Sequence, residues 1–382
     1  MKKLLLSSAA ICGLVLASAP AQAQIEVTVG GHTKNYLGWL DQDTAVTADE
    51  RSFDMLRESE LHFNAEGTAD NGLVYGFQVE MEVDASDSGN TIEESYLYLA
   101  GDWGRVNLGE EDGANYLLQV AAPSADSNID GIRQVVQPVN YTAGAIGAAS
   151  GGFIAAGANS NPAGTVDSFD YDNDETGKAQ KITYLSPIMN GFQVGLSYTP
   201  DVLDTEAAGP AFSNALTGFN LDNGGGFEDA YEGAVRYEGT FNNVGLALGA
   251  GYTHVENDSA AATADDLKEW NVGLDLDIGA FGVGAIYTEE NRGLDNNGDS
   301  ETYVLGADYT TGPFKLGASY FNNDTETGAA SEVETDRYTG GVIYTAAEGL
   351  TFRGSISYIE HEATGVTDTE ATSVLGGVQL NF

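Results

Sequence analysis

The chain has 382 residues, of which 58 are acidic and 15 are basic, giving a formal net charge of -43 at pH 7. A charge of this size and sign argues strongly against nucleic acid as a partner, because the phosphate backbone would be repelled. The length could hold two ordinary domains or one large β-barrel, and beyond the N-terminal segment no apolar run is long enough for a membrane-spanning helix.

The N-terminal segment has the pattern of a secretory signal peptide. Two lysines precede an apolar run, and an Ala-Gln-Ala sequence ending at Ala23 gives the small-x-small cleavage pattern. The pattern predicts a cleaved signal over residues 1–23, export through the periplasm, and a mature chain of residues 24–382. Cys12 lies inside the signal, so we expect neither disulfides nor a thiolate metal site in the mature chain.

Most of the mature chain alternates between apolar and polar residues with a period of two, as β-strands do. The connections alternate between short turns rich in Gly, Asn, Asp and Pro and longer polar segments, which is how the two rims of an outer-membrane barrel differ. The sequence predicts about sixteen strands, an even number that places both termini on the same side. They lie near residues 25–40, 52–66, 72–84, 92–100, 104–110, 179–186, 191–199, 228–239, 242–255, 268–278, 280–289, 301–310, 313–322, 335–345, 350–360 and 371–382.

The last predicted strand separates its side chains clearly into two faces. Val374, Leu380 and the terminal Phe382 share one face, whereas Ser373 and Gln379 share the other. Apolar residues outward and polar residues inward are the pattern of a membrane β-barrel strand. Pairing with the first strand would close the sheet and remove its exposed edges. The predicted fold is therefore an all-β, transmembrane, antiparallel up-and-down barrel.

Aromatic residues recur six positions apart on one face of four late strands, as expected for two girdles at the membrane interfaces. A β-sandwich with aromatic cross-strand pairs is the alternative. The opposite faces argue against it, because they carry charged residues where a sandwich core would need apolar ones. The aromatic pairs are Phe281 and Tyr287, Phe314 and Tyr320, Tyr338 and Tyr344, and Phe352 and Tyr358; the charged residues are Asp275, Asp277, Asp308, Lys315 and Arg353.

Four segments together resemble the general porins of Gram-negative outer membranes, particularly the acidic porins of alphaproteobacterial type. They are LRESELHFNAEGTADNGLVYGFQVEMEVD, ESYLYLAGDWGRVNLGEEDGANY, KITYLSPIMNGFQVGLSYTPD and the terminal LNF, and their order spans nearly the whole mature chain. The resemblance implies an antiparallel barrel of about sixteen strands, a homotrimer and a third loop folded into the pore. It also implies a C-terminal signature, ending at Phe382, that the barrel assembly machinery reads.

The segment 111–178 is far longer than an ordinary loop, and such segments are normally functional or disordered. It follows the fifth predicted strand, where the resemblance places a constriction loop. We expect its apolar residues to pack against the barrel wall and Asp112, Asp126 and Asp130 to face the lumen. A loop lying wholly outside the barrel is the alternative. The apolar residues are Tyr116, Leu117, Leu118 and Val120.

Carboxylates outnumber bases among the residues expected to line the lumen. Porins of this type commonly oppose loop acids with a basic cluster on the facing wall, and that pattern is only partly kept here. A narrow passage focuses the field of its wall charges, so cations should be concentrated and anions depleted. The expected constriction acids are Asp112, Asp126, Asp130, Glu60, Glu80 and Glu82; further wall acids are Glu58 and Glu94; the wall bases are His32, Lys34, Arg105, Arg236, Lys315 and Arg353.

The sequence shows no motif for an enzyme or a resident cofactor, and we expect neither. The histidines lie far apart without zinc-ligand spacing, and there is no G-x-S-x-G elbow and no phosphate loop. His62 shares a face with Glu58 and Glu60, and we interpret these three residues as ordinary pore lining and not as a site of acid-base chemistry. Bridging of acidic loops by Ca²⁺ remains open, without a defined ligand set. Three aspartates have the spacing that opens a calcium-binding loop, namely Asp170, Asp172 and Asp174. Glu175, however, occupies the position where such a loop has its turn glycine.

The leading hypothesis is a water-filled outer-membrane channel for passive diffusion of small hydrophilic solutes and ions, preferring cations. Its partners would be further copies of itself, outer-membrane lipid and the permeating solutes. The alternatives are an outer-membrane barrel enzyme, such as a lipase or protease, and a secreted acidic, calcium-binding adhesin. In a trimer, the residues expected to pack between subunits are the outward Leu73, Phe77, Val79, Val106 and Leu108.

Overall fold

A computed structural model describes most of the chain. It covers residues 25–43, 52–83, 92–126, 136, 138–140, 171–202, 226–259, 261, 264–296, 298–328, 331–365 and 368–382. The predicted signal peptide, Asp130 and Asp170 lie outside the described residues.

Sixteen antiparallel strands form one closed barrel, as the sequence predicts. Each strand pairs with its neighbours in chain order, and the first strand pairs with the last. Among the described residues, no helix has the length and apolar character needed to cross a bilayer. The elements are β1 (Glu26–Gln42), β2 (Phe53–Thr68), β3 (Val74–Glu82), β4 (Ile92–Gly101), β5 (Gly104–Glu110), α1 (Ala114–Leu117), β6 (Gln180–Leu185), β7 (Phe192–Thr199), β8 (Phe227–Phe241), β9 (Val244–Asn257), β10 (Leu267–Ile278), β11 (Phe281–Glu290), β12 (Ser300–Thr311), β13 (Phe314–Gly328), β14 (Ser331–Ala347), β15 (Leu350–Ala363) and β16 (Thr369–Asn381).

The seam of the barrel lies between β1 and β16, paired from His32 opposite Asn381 to Gln42 opposite Ala371. Beyond the last ladder pair, Gly31 and Phe382 exchange two backbone hydrogen bonds of 3.0 Å each. The predicted closure is confirmed, and it leaves the sheet without a free edge along this pair.

Alternation along each strand sorts the side chains into an outer apolar face and an inner polar one. In β16, Val374 and Leu380 are exposed outward, whereas Ser373 and Gln379 are buried inside. Leu375 is also buried inside, where it packs with Tyr36 of β1. The inner face is therefore mainly polar, with apolar residues where a loop covers the wall.

The outward aromatic residues form two rows, as predicted. Ring centroids of neighbouring strands lie 4.7 to 6.4 Å apart along both rows, within the range of aromatic packing. These rows match the girdles that flank the apolar band of outer-membrane barrels. One row contains Phe281, Tyr309, Phe314, Tyr344 and Phe352, and the other contains Trp270, Tyr287, Tyr303, Tyr320, Tyr338 and Tyr358.

Several strand boundaries differ from the sequence prediction by a few residues, and two of these differences have a clear structural cause. The turn between β8 and β9 is made by Asn242 and Asn243, with φ of 47° and 68°, which is two residues later than the predicted strands 228–239 and 242–255 place it. Two consecutive positive φ angles suit a tight hairpin, and asparagine tolerates them better than most residues.

The predicted loop 323–334 is the second difference, because β13 and β14 extend almost through it. Polar residues suggested a loop there, yet Asn323 is buried in the wall and donates hydrogen bonds to Ser300 and Thr302 of β12. Where inward side chains satisfy one another in this way, a strand can continue without apolar residues.

Candidate constriction of the barrel lumen

Residues 111–126, which we call the inner loop, leave β5 and run along the inside of the barrel wall. The one-turn helix α1 begins this path. The Ala114 amide donates to Ser197 Oγ of β7 at 2.8 Å. The Asn115 side chain is fully buried, donates to Thr253 of β9 and accepts from Asn271 of β10. These contacts exclude the alternative in which the entire loop lies outside the barrel.

A track of inward glycines accommodates the inner loop on six consecutive strands. A Cβ added at Gly317 would lie 2.6 Å from the Ala125 nitrogen, and one added at Gly249 would lie 2.8 Å from Val120 Cγ2. Any larger residue at these positions would meet the loop, so glycine allows the close approach of the two backbones. The track consists of Gly249 on β9, Gly273 on β10, Gly284 on β11, Gly306 on β12, Gly317 on β13 and Gly341 on β14.

The apolar residues of the inner loop are divided between the wall and the interior. Leu118 and Val120 are buried, as expected for residues packed on the wall, whereas Tyr116 and Leu117 are only half-buried. Leu118 lies against Gly195 of β7 and Val120 against Gly249 of β9, so the predicted wall contact is confirmed for these two residues. Arg236 of β8 fixes the same stretch by donating to the Gln119 carbonyl at 2.8 Å.

Asp126 anchors the far end of the inner loop. Its carboxylate lies 2.7 Å from Arg353 Nη1 of β15 and accepts a 2.8 Å hydrogen bond from the Tyr36 hydroxyl of β1. The side chain of Asp126 is 1% exposed and that of Arg353 is 10% exposed. The expectation that Asp126 faces the open lumen is wrong, because ion pairing to the wall buries it.

Asp112 plays a comparable part at the near end. Lys178 Nζ lies 2.6 Å from Asp112 and 2.5 Å from Glu94 of β4, and all three side chains are at most 10% exposed. Lys181 of β6 donates to the backbone carbonyl of Glu111. Asp112 is therefore also a buried, ion-paired residue and not a free acid in the lumen.

The segment 171–178 returns through the interior and packs on the inner loop. The Gln119 side chain donates to the Tyr171 carbonyl at 2.8 Å and accepts from the Asn173 amide at 3.1 Å. Tyr171 is buried with Ala122 of the loop and Phe321 of β13. The sequence analysis assigned the whole of 111–178 to the constriction loop but did not distinguish this second interior segment, because its residues show no periodicity.

The predicted basic residues of the wall all point inward, but they form no opposing cluster among the described residues. Each lies beside a polar or acidic partner, and Lys34 and His32 share Glu58. Lys34 pairs with Glu58 at 2.5 Å, Arg236 with Glu238 at 2.7 Å, Lys315 with Asp308 at 2.9 Å, and Arg353 with Asp126; Arg105 bonds Asn107 and lies over the Tyr98 ring, and His32 contacts Glu58.

A carboxylate-rich patch covers the inner face of β1 to β3. Glu60, Glu80 and Glu82 are half-buried there, beside His32 and His62. The strand registers bring them together, since Glu60 pairs with Glu82 and His62 with Glu80. In the described part of the chain, two groups of three side chains have nitrogen or oxygen atoms that could bind a metal ion and that lie within 4.8 Å of one another. One group is His32, Glu60 and His62, and the other is Glu60, Glu82 and Glu93.

A family model described as Gram-negative porin matches residues 7–364. The chain belongs to this family. An uncharacterised protein of Rickettsia felis is 26% identical to the porin over 228 residues, covering 54% of this chain and 49% of that protein. A second, from Rickettsia conorii, is 24% identical over 229 residues with the same coverage. The porin thus matches about half the length of these curated relatives.

Solved structures share the fold of the porin. An anion-selective porin from Comamonas acidovorans superposes with a TM-score of 0.64 at 18% identity, covering 94% of this chain and 100% of that one. A variant of the Rh. blastica porin gives a TM-score of 0.54 at 17% identity, with the same coverage. At these identities the likeness concerns the barrel alone.

Proposed function

We propose that this porin is a water-filled channel through which small hydrophilic solutes and ions cross the outer membrane passively. The closed barrel, its apolar outer face with two aromatic rows and its polar inner face support this function. Family and fold point to a channel and not to an enzyme, and they favour neither the barrel lipase or protease nor the secreted adhesin.

Cation preference is the more specific part of the proposal, and one observation supports it. The wall bases lie beside acidic or polar partners, whereas Glu60, Glu80 and Glu82 add a surplus of carboxylates on β1 to β3. Charges of one sign on a low-dielectric wall attract counter-ions and repel co-ions. The Comamonas porin has the same fold and is anion-selective, so ion preference must come from the side chains and not from the barrel.

A homotrimer is proposed from the outer face of β1 and β2. Arg57 is exposed on the outside of β2, between Met55 on one side and Leu61 on the other along the same face. Charged residues on the outer face of a barrel are unfavourable against lipid, so cover of this part of the face by a second subunit is favourable. Thr33 and Ser59, hydrogen-bonded to each other at 2.8 Å, widen this polar patch. Of the five residues expected to pack between subunits, Phe77 and Leu108 are exposed outward, whereas Leu73, Val79 and Val106 are half-buried.

Two further expectations remain proposals. Phe382 is exposed outward next to the seam and would serve as the signature read by the barrel assembly machinery. Calcium bridging of acidic loops has no ligand set among the described residues that we can assign.

Planar bilayer recording tests the proposed channel directly. The purified porin should raise conductance in discrete steps, and a KCl gradient should give a reversal potential of the sign expected for potassium. A preparation that inserts as a heat-modifiable barrel and yet conducts no ions would contradict the channel.

Cross-linking in native membranes should yield a trimer, and Arg57→Leu should change the stability of that trimer. Detection of the monomer alone would contradict the trimer.

A further inference from the structure

Two histidines that lie thirty positions apart in the sequence meet on the inner wall of β1 and β2. His32 stands directly opposite Glu60 in the β1–β2 ladder, and His62 follows Glu60 by two positions, on the same face. The rings of His32 and His62 are 6.0 Å apart with an interplanar angle of 80°. A paired β-sheet therefore holds both imidazoles and one carboxylate together.

We propose that His32, Glu60 and His62 form a binding site for a borderline divalent metal ion such as Zn²⁺. Glu60 Oε2 is 2.9 Å from His62 Nε2 and 3.8 Å from His32 Nδ1. Tetrahedral zinc with bonds of about 2.0–2.1 Å separates its ligand atoms by roughly 3.4 Å, so small side-chain rotations suffice. Three protein ligands would leave one position for water or a permeating ligand.

The surroundings of both histidines have the form of a metal site's outer shell. His32 Nε2 lies 2.7 Å from Glu58, whose other oxygen is held by Lys34, and His62 Nδ1 lies 3.6 Å from Glu80. At His32 the Nε2–H donates to Glu58, which leaves the lone pair on Nδ1, the nitrogen that faces Glu60. At His62 the Nε2–H donates to Glu60 at 2.9 Å, so a metal ion would replace this proton between the two groups, with Glu80 near the opposite nitrogen. Such pairs also raise the affinity of the ring for metal.

The donor set selects the class of ion. Ca²⁺ and Mg²⁺ prefer oxygen ligands, whereas imidazole suits zinc, copper and nickel. The nearby Glu82 and Glu93 come within 4.8 Å of Glu60 and would favour approach of a cation. Occupancy would place two positive charges on the carboxylate-rich patch, and so the bound ion would lower cation preference.

Titration calorimetry with ZnCl₂ on the full-length porin in detergent tests the site independently of conductance. One Zn²⁺ per chain is expected, and CoCl₂ should give the intense visible absorption of a four-coordinate site. His32→Asn and His62→Asn should each weaken zinc binding by more than about 100-fold, because outer-shell changes alone cost 10–100-fold. Glu58→Gln should weaken binding by about 10-fold or more for the same reason.

His254→Asn is the matched control, since His254 also lies near a carboxylate, 3.8 Å from Asp266, but outside this patch. It should leave zinc affinity unchanged. Heat-modifiability on gels shows which variants keep the folded barrel. Glu58→Gln tests the outer shell separately, because it retains all three proposed zinc ligands. Zinc affinity that is insensitive to His32, His62 and Glu58, or CaCl₂ binding with equal affinity, would overturn the proposal.

Discussion

Replacing Arg353 with glutamine should release the far end of the inner loop. In the wild type, the Asp126 carboxylate is buried between Arg353 and the Tyr36 hydroxyl, at 2.7 and 2.8 Å. The substitution removes the charged partner and leaves a buried carboxylate behind. Breaking a buried pair in this way costs about 3–5 kcal/mol, which raises the population of the released loop end by roughly a hundred-fold to several thousand-fold.

Lys315→Gln supplies the matched control, since it also removes a wall base from its acid. Lys315 lies 2.9 Å from Asp308, but the two side chains are 37% and 13% exposed. Exposed pairs of this kind contribute about 0.2–1 kcal/mol, so this variant should leave the loop docked. The double variant Arg353→Gln/Asp126→Asn should recover part of the lost docking, because no unpaired charge stays buried.

Amide hydrogen exchange over residues 118–126 is the assay, with single-channel current noise as a second readout. Arg353→Gln should exchange faster than both the wild type and Lys315→Gln, and its open-channel current should fluctuate more. Equal exchange in Arg353→Gln and Lys315→Gln would refute the anchoring role of the Asp126 pair.

Three further outcomes are expected. Gly317→Ala should destabilise the docked inner loop by about 1–3 kcal/mol, which would appear as faster amide hydrogen exchange in the loop. Gly376→Ala should not, because open space surrounds that position. Equal effects of the two variants would contradict the role of the glycine track. Deletion of Phe382 should lower outer-membrane yield, because it removes the two seam hydrogen bonds to Gly31, and a normal yield would be contrary evidence. Burial raises the pKa of the Glu111 carboxyl from 4.5 to about 7, so docking of the inner loop should weaken as pH rises between these two values. Glu111→Gln should remove this pH dependence of amide exchange in the loop. The same pH profile in the variant and the wild type would contradict the role of Glu111.

The sequence predicted the barrel well because strand alternation is a local property. Inward and outward faces, the closing pair of strands and the two aromatic rows all follow from period-two patterns, and the structure confirms them. The extended hairpin of β13 and β14 was missed because its inward polar residues, such as Asn323, resemble those of a loop.

The constriction was predicted less completely because its contacts depend on strand register. Asp126 and Arg353 lie 227 positions apart in the sequence, and their pairing follows only once the barrel is closed. His32 and His62 likewise meet through the β1–β2 register. The glycines of the track stand at inward positions of β9 to β14 in the sequence, but their role follows only once the inner loop lies beside them.

Reversal potentials of a charge-matched pair of variants test the central claim about cation preference most directly. Glu80→Gln/Glu82→Gln removes two carboxylates from the inner wall, and Asp70→Asn/Asp102→Asn removes two from exposed short turns outside it. At physiological salt, screening over about 8 Å should mute the turn charges more than the wall charges. We expect a cation-selective wild type, a reduced cation preference in the wall variant and no change in the turn variant. An anion-selective or unselective wild type, or equal shifts in both variants, would contradict it.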